Sequence, residues 1–234
     1  MLTFGPPHLH YNPMKKILKL VLWTLVIVVL AVVGIGLIWL NTSPQFGGRH
    51  TDEDLARYGA SEHFDGKIFV NLIPTSLDID FKTGLRITRE MLKGGGNKKP
   101  DEKLKPEKFT RSQWVPTKEA KVMWFGHSAM LVFIDEMSIL IDPMLSEVPA
   151  PHPMLGQPRF ATELPMALDS IGHVDAILIS HDHYDHLDYE SIKQLKDRCD
   201  QFLVPLGVGA HLRRWDVPQA QIQELDWWDE TTYK

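Results

Sequence analysis

The sequence predicts an α/β domain carried behind a single membrane-spanning helix. Three observations carry that prediction. Leu20–Leu40 holds no charged residue. After Pro116, short apolar strands alternate with helical patterns, the signature of α/β layering. One of those strands runs directly into His-Asp-His-Tyr-Asp-His, residues 181–186. Composition agrees: of 234 residues, 44% are hydrophobic and 24% charged, which excludes a disordered tail protein. A net charge of −5 gives no support to a nucleic-acid partner. The one cysteine, Cys199, excludes an intramolecular disulfide framework and a cysteine-rich zinc site.

The uncharged run of 21 residues spans roughly 31 Å as a helix, the thickness of a hydrocarbon core. Trp23 and Trp39 stand near its ends, where indole rings favour the membrane interface. A cleaved signal peptide has a shorter apolar stretch and a small-residue cleavage site. Neither is present, so residues 17–40 are expected to be a retained signal anchor in contact with the lipid bilayer. Lys15, Lys16 and Lys19 precede the uncharged run Leu20–Leu40, whereas Arg49 and Arg57 are spread out after it. This bias places residues 1–16 in the cytoplasm and the remainder on the extracytoplasmic, periplasmic side, as a single-pass membrane protein. Met14-Lys15-Lys16 resembles a translation start, so residues 1–13 are expected to be a start-site artefact.

Residues 41–116 read as an irregular, polar approach segment with a solvated mixed-charge run, NKKPDEKLKPEK. Residues 117–234 form the α/β part. KVMWFGHSAMLVFID and MSILIDP read as two strands joined at Asp135-Glu136. A proline-rich loop to Arg159 follows, and VDAILIS is a further strand. SIKQLKDRC is expected to be a helix holding a buried, inert Cys199, QFLVPLG a strand, and GAHLRRW a short helix.

Chemistry concentrates in the histidine cluster. A strand end can aim side chains into a cleft. His181 and His183 are spaced to face one metal ion, and Asp185 and His186 a second position. Imidazole with carboxylate suits zinc, iron or manganese. By composition alone this pattern arises about 0.002 times in a chain of this length. Asp142 ends a strand and is expected either to support the metal loop or to cap its own turn. His127 is read as a satisfied structural histidine, with cleft lining as the alternative. His211 is expected on a helix surface, and Trp227 and Trp228 as core or interface aromatics. Neither a Gly-rich phosphate loop nor a Gly-x-Ser-x-Gly elbow occurs in the sequence.

The motif His-x-His-x-Asp-His after a strand resembles that of the metallo-β-lactamase superfamily. WFGHSAMLVFID, ILIDPMLS, SHDHYDHLDYESIKQL, FLVPLG and ELDWW are similar to the branch containing N-acyl-phosphatidylethanolamine phospholipase D and its bacterial relatives. The resemblance covers most of residues 61–229. It implies an αββα sandwich and a hydrolase with two zinc ions, acting on lipid or small-molecule phosphodiesters. It would give His181 and His183 to the first metal, and Asp185 and His186 to the second. Asp185 would also orient the attacking water. Members of the family complete the site with a histidine, a bridging aspartate and a last histidine downstream of the ELDWW-like segment. No such residues follow here, so the sequence is expected to be the N-terminal part of the sandwich. The alternative to a membrane-anchored hydrolase is a non-catalytic fragment that binds metal weakly or needs a second chain.

Overall fold

The computed structural model describes residues 13–233 apart from 74, 76–78 and 95–98. Residues 1–12, with the Met1 start, lie outside the described residues. Two compact units divide the chain, the first ending at Phe46 and the second starting at Gly47.

The first unit is helix α1, Pro13–Thr42, followed by one 3-10 turn at Pro44–Phe46. It is longer than the expected 17–40. Pro13 sits at the start of the helix, where its missing N–H costs nothing. At the other end, Asn41 Nδ2 and Thr42 Oγ1 donate to the carbonyls of Leu37 and Ile38, which carries the helix past the apolar run. α1 is long and apolar enough to cross a membrane, and its large apolar residues such as Leu22, Ile27, Leu30 and Ile35 are exposed.

The second unit is built on one six-stranded sheet. Its strands are β1 (Lys121–Gly126), β2 (Ala129–Ile134), β3 (Met137–Ile141), β4 (Val174–Leu178), β5 (Cys199–Pro205) and β6 (Ile222–Leu225), in that spatial order. β1, β2 and β3 are antiparallel, whereas β3 to β6 run parallel. Two expectations are corrected here. The first apolar stretch is a hairpin rather than one strand, because Gly126 (φ 110°) and His127 (φ 48°) turn the chain between β1 and β2. Cys199 opens β5 instead of closing a helix: α4 ends at Leu195 and a 3-10 turn takes up Lys196–Arg198. The thiol is buried, and that burial pushes its pKa up to about 12.

Alternation of side chains across the strands sends Met123, Phe125, Leu131, Phe133 and Leu140 to one face. There they pack with Ile192 and Leu195 of α4 (Tyr189–Leu195) and Leu212 of α5 (Gly209–Arg214) in one core. On the opposite face Val122 and Trp124 are exposed. Among the described residues the named strands make one sheet, so this is one layer of the sandwich that the resemblance implies.

The approach segment is not irregular throughout. It contains α2 (Asp52–Tyr58) and α3 (Phe81–Lys93). α2 opens with a capping box between Thr51 and Asp54, which satisfies otherwise orphaned N–H groups. α2 is also fastened to the sheet. Asp54 accepts from Arg213 on α5 at 2.5 Å, and Arg57 pairs with Glu224 on β6. Burial works against the Asp54 charge, but the Thr51 N–H and hydroxyl and the Arg213 guanidinium hold its carboxyl below the usual aspartate range. Glu224 in turn accepts from the N–H groups of Gly207 and Gly209, where a Cβ at Gly209 would meet the Glu224 carboxylate at 2.6 Å.

Candidate metal centre

Because β3 to β6 are parallel, their carboxyl ends open on the same edge of the sheet, the place where open α/β sheets bind ligands. β3 delivers Asp142 there and β4 delivers Ser180 and the loop 181–186. The N–H of Asp142 donates to the Leu178 carbonyl at 2.8 Å, so the two strand ends stay in register to the last residue.

Asp142 is the organiser of this edge. It is buried and left-handed (φ 43°), a conformation that aspartate tolerates better than most residues. Its Oδ1 accepts from the Ser180 N–H at 2.7 Å, and its Oδ2 from the Ser180 hydroxyl at 2.8 Å. His186 Nδ1 lies 2.9 Å from the same Oδ2. A carboxylate can only accept, so the His186 proton is on Nδ1 and the Nε2 lone pair faces outward. The Ser180 hydroxyl spends its single proton on Asp142. Its oxygen therefore accepts from His181 Nδ1 at 2.9 Å, which leaves the His181 Nε2 lone pair outward as well. One buried carboxylate thus presents two imidazoles in the tautomer that a metal requires. Asp142 thus follows the last residue of β3 and hydrogen-bonds both Ser180 and His186.

His181 is held below the ordinary histidine pKa by burial first, then by the neighbouring His186 and His183. It therefore stays neutral at lower pH than a free imidazole. The His181 ring lies 4.0 Å from that of His186 and 4.6 Å from that of His183, measured between centroids. His183 is exposed, and its carbonyl accepts from the N–H groups of His186 and Leu187. Asp185 and His186 converge with a third residue, His127. Donor atoms of these three lie within 4.8 Å of one another. His127 Nε2 is 3.0 Å from Asp185 Oδ2 and 3.4 Å from His186 Nε2. His127 is accordingly not a satisfied structural histidine. A register shift between Trp124 and Gly126, followed by the left-handed turn, sets it beside Asp185 and His186.

Next to the loop lies a cavity of about 260 Å³ whose lining includes His50, His63, His181, Asp182, His211 and Trp227. His211 is therefore not a surface residue. Its Nδ1 accepts from the Gly48 N–H at 3.1 Å and its Nε2 is 3.9 Å from Asp182. Gly48 must be glycine, since a Cβ would stand 2.0 Å from the Ala210 carbonyl oxygen. Trp227 is not core either: it is about half exposed and meets the buried His63 ring edge-on at 4.6 Å. Trp228 is 89% exposed. His50 and His63 lie more than a hundred residues from the histidine loop in sequence.

The donor chemistry fits a divalent transition metal. Imidazole nitrogens and a carboxylate oxygen converge, two of the rings are preset by a buried carboxylate, and the one thiol is at the far end of β5 in the core. Residues 138–234 match the family model described as the beta-lactamase superfamily domain. Similar proteins include one from Mycobacterium tuberculosis, 50% identical over 107 residues, 45% of this chain and 28% of that protein. An N-acyl-phosphatidylethanolamine-hydrolyzing phospholipase D of Caenorhabditis elegans is 29% identical over 119 residues, 47% of this chain and 32% of that enzyme. A protein named a metal-dependent hydrolase from Sulfolobus acidocaldarius is 35% identical over 77 residues, 32% of this chain and 28% of its own. The chain thus spans about a third or less of each of these relatives. The part of the β-lactamase superfamily domain matched begins in β3 and takes in Asp142 and the whole histidine loop.

Proposed function

We propose that the chain belongs to a membrane-anchored, metal-dependent hydrolase of phosphodiesters, with an N-acyl phospholipid as the substrate class of first choice. The observation that carries this reading is the Asp142–Ser180 arrangement, which turns the Nε2 lone pairs of His181 and His186 outward beside Asp185. His181 and His183 would hold one ion, and Asp185 with His186 a second. Zinc is the ion that suits the set best, and iron or manganese would also fit it. When bound, such an ion supplies Lewis-acid polarisation of a phosphoryl oxygen and a water nucleophile near neutral pH. Asp185, about two-fifths exposed and 3.0 Å from His127 Nε2, would orient an attacking water and take its proton. The names of the nematode and archaeal relatives support phosphodiester and metal chemistry. α1 would hold the domain at the bilayer, with Lys15, Lys16 and Lys19 on the cytoplasmic side and the domain in the periplasm.

The test uses carbonate-washed membranes, from which a chain with a spanning helix is not released. They are expected to hydrolyse bis(4-nitrophenyl) phosphate and N-acyl-phosphatidylethanolamine in a chelator-sensitive manner. Asp185→Asn should lower the rate at least about 100-fold at equal protein. A chain that stays in the pellet, binds metal and turns over neither substrate would be a metal-binding fragment, and the proposal would fail.

A further inference from the structure

α3 has no part in the metal centre, yet it is sharply two-faced. With 3.6 residues per turn, Phe81, Leu85, Thr88 and Leu92 fall on one stripe. Lys82, Arg86, Arg89 and Lys93 repeat the same spacing one residue later, so they form a parallel basic stripe roughly 100° away. Met91 and Ile87 widen the apolar face. Asp80 caps the first turn by accepting from the Thr83 N–H at 2.7 Å, and Gly94 ends the helix in the left-handed conformation. The helix is therefore well specified on its own, but its apolar face is not packed: Phe81 is 88% exposed, Leu92 84%, Met91 70% and Leu85 61%.

We infer that α3 is an interfacial helix that seats this apolar face in the surface of an anionic bilayer. Charge selects the occupant. The protein as a whole carries −5, whereas α3 sets four basic residues against Glu90 alone. Glu90 pairs with Lys93, and among the described residues no ion pair or hydrogen bond reaches the side chains of Lys82, Arg86 or Arg89. A basic stripe flanking an apolar one, headed by an aromatic residue, is the arrangement of helices that lie in the headgroup region. Ile73 and Ile79, both more than half exposed, extend the apolar surface just ahead of it. The same chain contains α1, whose last residue is 39 residues before Phe81, so the bilayer that α1 can enter is available to α3. Each cationic residue near an anionic surface strengthens partition by about fivefold. This inference is independent of the hydrolytic reading and would survive its failure.

The test places an environment-sensitive fluorophore on the full chain at Leu92→Cys or, on the opposite face, at Glu90→Cys. Cys199 is buried and does not compete for the label. The chain is reconstituted in phosphatidylcholine vesicles with or without phosphatidylglycerol. In the anionic vesicles the label at 92 is expected to shift to shorter wavelength and to be quenched by acyl-chain-brominated lipid several-fold more than the label at 90. Changing Lys82, Arg86, Arg89 and Lys93 to glutamine should reduce that quenching to its level in phosphatidylcholine. Equal quenching at 90 and 92 in anionic vesicles would overturn the inference and leave the face to a protein partner. Equal quenching at 92 with and without phosphatidylglycerol would overturn the role given to charge.

Discussion

The double variant His181→Ala/His183→Ala is expected to lose nearly all bound transition metal, with affinity falling by more than about 100-fold. Replacing a residue that merely supports a metal ligand already costs about 10–100-fold, and here two imidazole donors disappear together. Neither change should disturb the sheet. His183 is exposed, and His181 lies beyond the end of β4 and outside the core. Elemental analysis of the purified full chain gives the metal content, and circular dichroism gives the fold. His211→Ala serves as the comparison, because its Nδ1 is engaged by the Gly48 N–H, and it should keep its metal. Equal metal content in the double variant and the wild type would refute the ligand assignment.

Asp142→Ala is expected to do nearly as much damage without touching a ligand. The substitution removes the acceptor for the Ser180 N–H, for the Ser180 hydroxyl and for His186 Nδ1 at once. A buried N–H left without a partner costs about 1–3 kcal/mol. The His186 ring loses the bond that fixes its tautomer, so metal affinity should fall about 10–100-fold. Asp142→Asn separates the two effects. An asparagine carbonyl can still accept one of these hydrogen bonds, so stability should largely recover. Affinity should not, because the amide side offers His186 Nδ1 a donor instead of an acceptor. Thermal unfolding and metal titration of both variants check this. An Asn variant that binds metal like wild type would mean that Asp142 acts in the fold alone.

Much of this site can be read in the sequence because it is local. His181, His183, Asp185 and His186 lie within six residues, after an apolar strand that could end only at the sheet edge. Asp142 is legible for the same reason, as the last residue of ILID. What the sequence hides is what the sheet brings together from a distance. His127 reaches Asp185 through a register shift at Gly126, and one glycine in an apolar stretch does not announce a bulge. His50, His63 and His211 meet around one cavity from three separate segments. The two helices of the approach segment are a different case. The Thr51–Asp54 capping box and the paired stripes of α3 are both present as patterns. Short length hides the first, and Gly84 with the surrounding polar and glycine-rich sequence masks the second.

The central claim is that this chain holds a transition metal through imidazole and carboxylate donors of the loop 181–186. Zinc-edge X-ray absorption on the zinc-loaded full chain tests it most directly. The account predicts a first shell of nitrogen and oxygen at about 2.0–2.1 Å, with the outer-shell scattering of imidazole rings and no sulfur shell at about 2.3 Å. A sulfur shell, or a spectrum indistinguishable from zinc in buffer, would contradict it.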